Sequence, residues 1–270
     1  KKHLNRKNMV IVAQGPSEGV KHITKEEAIA VLDKVESSNL EPYKDQVTEA
    51  SLINEDLKGS KIIATKKLPQ FDAEEWTLEN GAKVVFRKAD YEKDQVQVSS
   101  YSKGGTSLYG IDKLASAQVT DQFIGAYGLG DYDAITLRKL LTGKQAQAGV
   151  SIGGLSESVG GASTPNDFET LMQLIYLRFE KPRFDKEVHN TLMQRNYAAI
   201  ENSANNPQKI MQDSVSMIMS NYSPRTLLFG KEFLDKVSIE QIEEIYRDRI
   251  KDISDFTFFI VGNIDAETVK

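Results

Sequence analysis

Between Trp76 and Gly125 the chain changes its period, and this change limits the fold more than any other stretch of the sequence. Val84 and Phe86, then Val96 and Val98, recur at every second position, as in strands with one buried face. Ser102-Lys-Gly-Gly-Thr-Ser-Leu-Tyr109 follows with paired glycines, which admit backbone conformations that other residues avoid. From Gly110 to Gly125 the wording is helical. Two strands and a glycine turn feeding a helix rule out a pure helical bundle and call for a sheet with helices against it.

The rest of the chain extends that reading. Residues 145 to 163 give two further strands around Gly153-Gly154, a hairpin signal. Thr164-Pro165-Asn166-Asp167 is a helix start, with a cap, proline at the first position and an acid in the first turn. Phe168, Leu171, Met172, Ile175 and Phe179 then share one helical face. Helices are expected at about 185 to 203, 207 to 220 and 239 to 250, the last opened by the box Ser238-Ile-Glu-Gln241. Phe256-Thr-Phe-Phe-Ile-Val261 is apolar on both faces, so a central strand covered by helices is expected there. Strands, then helices, then a late strand indicate an α+β fold, with a domain from 73 to 264.

Ahead of it, Met9-Val-Ile-Val-Ala13 reads as a short strand, and the capping box Thr24-Lys25-Glu26-Glu27 opens a helix over 25 to 37. Residues 38 to 72 are polar with isolated apolar positions, Pro42, Pro69 and Gly59, and read as a linker laid along a larger body. Both ends read as cut from a longer chain, so the lack of a leader says nothing of the parent.

Charge and composition exclude several classes. A net charge of −5 lacks the concentrated basic surface that nucleic-acid phosphates require. No apolar run approaches the roughly 20 residues of a membrane helix, so no membrane span is expected. Cysteine is absent, which removes disulfides and thiol catalysis and leaves the compartment open. The histidines are His3, His22 and His189, and no two of them lie at i, i+4 on one helix. A catalytic zinc site takes three protein ligands from nitrogen, sulfur or carboxylate, so here it would be built largely from carboxylates, an unusual choice for zinc.

Other candidates have plainer readings. Gly149 to Gly161 is glycine-rich, but alternating Val150, Ile152, Leu155 and Val159 make it a hairpin rather than a phosphate loop. Ser116, His189 and an aspartate would form a hydrolase triad in principle, yet no G-x-S-x-G elbow supplies the nucleophile. Tyr222-Ser-Pro-Arg225 is an expected exposed loop.

Six segments in order carry a family resemblance: Trp76-x-Leu-x-Asn-Gly81, Ser102 to Tyr109, Gly128 to Gly143, Glu180-Lys-Pro-Arg-Phe-Asp185, Asn206-Pro207 and Asp255 to Asp265. Together they resemble the insulinase/pitrilysin zinc peptidases, family M16, and most of all the large bacterial members built from four similar domains in two linked halves. Active copies carry H-x-x-E-H on the helix after the glycine turn. Aligning G-L-A-H-F-L-E-H onto Lys113 to Thr120 sets Ser116 and Thr120 at the histidine ligands and Val119 at the glutamate base. Glu201 falls at the position similar to the distal glutamate ligand, where one carboxylate without two histidines does not hold a metal tightly.

The resemblance implies a mixed, largely antiparallel sheet packed against several helices, the LuxS/mitochondrial-processing-peptidase-like metallohydrolase fold. It implies residues 1 to 37 as the tail of a preceding domain, 38 to 72 as the bridge between halves, 73 to 264 as a metal-free third domain and 265 to 270 as the start of the next segment. Such a domain would help to enclose peptide substrates while zinc chemistry resides in another domain, in a bacterial zinc metalloendopeptidase outside the cytoplasm. It implies no catalytic, cofactor-binding or metal-binding residue in this chain, with zinc belonging to the parent, and partners that are peptides and the parent's other domains. Two alternatives stay open: a scaffold or assembly protein of the same fold without peptidase activity, and a metal-independent enzyme on this scaffold.

Overall fold

The computed structural model describes residues 8–15, 19–38, 51–203 and 205–270. The chain divides into two compact units, Lys1–Thr48 and Glu49–Lys270. In the first unit the described element is helix α1 (Lys25–Ser37). Its capping box is formed in full: Thr24 Oγ1 accepts from the Glu27 amide at 3.2 Å, and the Thr24 amide donates to the Glu27 carboxylate at 2.9 Å. The strand expected at 9 to 13 is absent. A strand exists by pairing, and among the described residues this segment meets no ladder partner and stays exposed.

The second unit holds strands β1 (Ile62–Leu68), β2 (Ala73–Leu78), β3 (Lys83–Lys88) and β4 (Val96–Lys103), then helices α2 (Ile111–Ala126) and α3 (Ala134–Leu140). The hairpin β5 (Ala146–Ile152) and β6 (Ser156–Ser163) follows, then α4 (Phe168–Glu180), α5 (Lys186–Ser203), α6 (Pro207–Met219), α7 (Lys231–Leu234) and α8 (Ile239–Arg249). Strand β7 (Thr257–Gly262) and the short α9 (Ala266–Val269) complete it. The seven strands form one sheet in the order β1-β2-β3-β7-β4-β6-β5. The β3–β7 pair is parallel and the other pairs are antiparallel, so the sheet is mixed and largely antiparallel, as expected.

Pattern decides which face each strand buries. In β4, Val96, Val98, Ser100 and Ser102 point to the covered face, and their neighbours point to solvent. Against that face lie α2 with Ala115, Val119 and Phe123, α4 with Phe168, Leu171 and Ile175, and α8 with Ile242 and Tyr246. Each large apolar side chain fully buried here contributes about 1.5–3 kcal/mol.

Two expectations need correction. Residues 38 to 72 are not linker throughout, because Ile62–Leu68 forms the edge strand β1, paired antiparallel with β2. An edge strand is held by its backbone ladder, and the exposed Thr65, Lys66 and Lys67 leave little hydrophobic pattern to read. The remaining linker expectation at 39–50 lies outside the described residues. Strand β7 is central as expected, but one of its faces is uncovered: Phe258 and Ile260 are buried, whereas Phe259 and Val261 are each 38% exposed. Residues 265 to 270 also pack with this unit, Ala266 and Val269 against its core and the Lys270 ammonium 5.5 Å from the Trp76 ring centre.

Candidate functional site

The helix that would carry metal chemistry is α2, and its start is fixed by a buried polar cluster. Glu157 on β6 is almost wholly buried, and its carboxylate accepts from Ser102 Oγ at 3.1 Å and from the Gly105 amide at 2.6 Å. Gly105 sits at φ +62°, and a Cβ there would lie 2.3 Å from the Gly153 carbonyl oxygen, so the turn requires glycine for both conformation and space. Arg225 donates to the carbonyls of Thr106 and Tyr109 at 2.9 and 2.8 Å. Tyr109 in turn donates to Asp248 at 2.9 Å, and its phenol pKa is pushed up by burial and by that carboxylate. The Arg249 guanidinium lies 3.6 Å from Glu157 and also bonds Asp248. The Ser-x-Gly-Gly-x-Ser-Leu-Tyr wording is therefore a fastening that ties the glycine turn to the hairpin and to α8.

Within α2, on successive turns, lie Ser116 and Thr120, both fully buried, with Val119 buried beside them. Ser116 Oγ donates to Gln241 Oε1 at 2.8 Å and accepts from the Ser238 amide at 3.1 Å. Thr120 Oγ1 donates to the Ser116 carbonyl at 2.8 Å. Both hydroxyls are thus engaged, and the start of α8 lies over Ser116. The expected box Ser238 to Gln241 forms half of its bonds: Ser238 Oγ caps the Gln241 amide at 3.2 Å, while the Gln241 side chain turns to Ser116.

These residues do not fit zinc. Neutral hydroxyls engaged in internal bonds do not replace imidazole, and valine carries no proton to transfer. Among the described residues no group of three or more His, Cys, Asp and Glu side chains is arranged to hold a metal ion. Glu201 lies on α5 and is exposed, in contrast to the fully buried Ser116 and Thr120.

The other candidates resolve as packing. His189 is buried against Phe123, and its Nδ1 lies 2.8 Å from the Tyr127 hydroxyl. Burial lowers its pKa, opposed by Glu240, and burial raises that of Tyr127. Ser116 and His189 therefore bond different partners and form no triad. Gly149 to Gly161 is the β5–β6 hairpin, with Gly149 opposite Gly160. Tyr222 is exposed as expected, whereas Arg225 reaches back to the glycine turn. The Glu157 cluster went unread in sequence, since a lone glutamate in an alternating strand reads as solvated; the only signal was Ser102 and Tyr109 flanking the paired glycines.

No protein-family model matches the chain. It is 22% identical over 233 residues to the zinc protease PQQL-like protein of Arabidopsis thaliana, covering 85% of this chain and 22% of that protein. The crystal structure of the periplasmic protease PqqL from Escherichia coli matches with a TM-score of 0.72 at 17% identity, over 92% of this chain and 27% of that one. A peptidase M16 inactive domain from Pseudomonas fluorescens matches with a TM-score of 0.58 at 16% identity, over 73% of this chain and 48% of that one. The chain thus spans about a fifth of the length of the curated relative it matches. In sequence the chain is thus similar to zinc proteases, and in fold it is similar to peptidase M16 domains.

Proposed function

We propose that this chain is a non-catalytic, chamber-forming domain of a larger zinc metallopeptidase that degrades peptides, with the zinc chemistry carried by another domain. What supports the reading is that Ser116 and Thr120, which the resemblance aligns with metal ligands, spend their hydroxyls on internal hydrogen bonds. The resemblance to an M16 domain described as inactive supports it. So does the span of this chain, about a quarter of the similar periplasmic protease. In this reading the parent is an endopeptidase, and the chain contributes wall and hinge by confining peptide near a distant metal. Residues 1 to 37 end a preceding domain, the bridge between halves runs from 38 to the start of β1, and the core domain runs from Ile62 to 264. The sequence beyond, from 265, leads towards the next segment while packing on this core. The location proposed for the parent is extracytoplasmic and bacterial, by analogy with the periplasmic relative.

The test uses the full-length parent. Expected are one tightly bound zinc outside this domain, peptide cleavage abolished by a chelator, loss of cleavage when the glutamate of the parent's H-x-x-E-H is replaced, and reduced cleavage when residues 62 to 264 are deleted. The isolated chain should hold no stoichiometric zinc after dialysis and cleave no quenched peptide. A parent without zinc and without hydrolysis of any short-peptide pool would replace this reading with the scaffold one.

A further inference from the structure

Helix α6 is built inside out. Its half-buried side is Lys209, Asp213, Ser216 and Met217, with Lys209 and Asp213 ion-paired to each other. Its outward side is Met211, Val215, Ile218 and Met219, which are 62%, 46%, 61% and 81% exposed, and none of its residues is fully buried. A helix of an isolated domain turns its apolar stripe to the core and its charges to water. Here the order is reversed, although the helix is firmly started: Asn206 Oδ1 caps the Gln208 amide at 2.9 Å, and Pro207 takes the first position. Tyr222, held at φ +54° just beyond the helix, extends the stripe and is 65% exposed.

We infer that the Met211–Val215–Ile218–Met219 stripe is the seat of another domain of the same polypeptide. The inference rests on the multidomain reading above and adds the surface at which the domains meet. Three observations select this occupant. The similar solved chains are larger: this chain covers 27% of one and 48% of another, so this domain type occurs alongside at least as much further protein in a single chain. The stripe carries no charge, so its partner must be apolar, and flexible methionines suit a surface shaped against a second body. A membrane surface is disfavoured, because helices that lie on membranes carry lysine and arginine on the polar side, and α6 offers one lysine, already paired and turned inward.

Methionine oxidation tests this without reference to activity. The purified 270-residue chain and the full-length parent are treated with dilute hydrogen peroxide, and sulfoxide at Met211 and Met219 is followed by mass spectrometry against an added reference peptide. Both residues should oxidise readily in the isolated chain and about tenfold more slowly in the parent. In the parent, Ile218→Glu should restore fast oxidation of Met219 while the circular dichroism of the isolated variant chain stays unchanged. Equal oxidation of Met219 in chain and parent overturns the inference while leaving the multidomain reading intact. A parent with no further domain overturns both. Protection that disappears on dilution of the parent assigns the stripe to a second copy, and flotation of the isolated chain with phosphatidylglycerol vesicles, lost in Ile218→Glu, assigns it to a membrane; either outcome overturns the inference.

Discussion

Helices α2 and α6 place their polar and apolar groups in opposite ways. In α2 the hydroxyls of Ser116 and Thr120 lie inside with Leu114, Val119 and Phe123, each bonded within the protein. In α6 the inward side is mostly polar, and the apolar residues other than Met217 and Pro207 form a stripe that faces solvent. Buried polar groups that are fully paired close a position to ligands, whereas exposed apolar groups leave one open to a partner. The contrast teaches that the helix with the motif position serves the domain's own packing, and that the unmotivated-looking helix carries the outward contact.

The comparison breaks first on stability. Phe123→Ala empties a wholly buried site in α2 and should cost about 3–5 kcal/mol in urea unfolding. A loss below 1 kcal/mol, on the order of a surface change, would mean that α2 is not the helix on which the core is built. Ser116→Ala leaves the Ser238 amide without its acceptor and the Gln241 side chain without its donor, and should cost about 1–3 kcal/mol. If the variant is neutral, those hydroxyl bonds are incidental and the closure of the metal position rests on packing alone.

His189 sharpens the comparison through pH, because it joins α5 to the Tyr127 end of α2. Its folded pKa is depressed below the ordinary 6.5 by burial, so the unfolded chain binds the proton more readily. This contribution to stability is therefore present above about pH 6.5 and declines as pH falls through that value. Unfolding midpoints between pH 8 and pH 5 should fall more for the wild-type chain than for His189→Gln. Identical pH profiles would remove His189 from the account. The smallest effect is expected on α6, where Met211→Ala in the isolated chain should change stability by less than about 0.5 kcal/mol. A larger loss would show that the stripe already has a partner within the domain.

Legibility in the sequence followed pattern strength. The helices α1, α4, α5, α6 and α8, the β5–β6 hairpin and the central place of β7 were readable from caps, periodicity and glycine. Strand β1 was not, because Lys66 and Lys67 on an edge erase the hydrophobic signal. The open face of β7 was misread for the opposite reason: Phe259 and Val261 are apolar, and sequence alone does not say whether a second layer covers them. At the candidate site, residue types excluded an i, i+4 histidine pair, but assigning Ser116, Val119 and Thr120 to metal positions needed the family resemblance. Their bonds to residues 238 and 241 are long-range and visible only in three dimensions.

Strand β7 lies between β3 and β4, so the sheet consists of two three-stranded ribbons, β1-β2-β3 and β4-β6-β5, joined by a strand near the end of the sequence. During synthesis both ribbons emerge before the strand that unites them. Until Thr257–Gly262 leaves the ribosome, β3 and β4 each present a bare edge, and closing the sheet requires contacts across most of the domain's length. A nascent chain halted before β7 would therefore be a pair of unsealed ribbons prone to pair with neighbours. Completion of the sheet waits for its last strand.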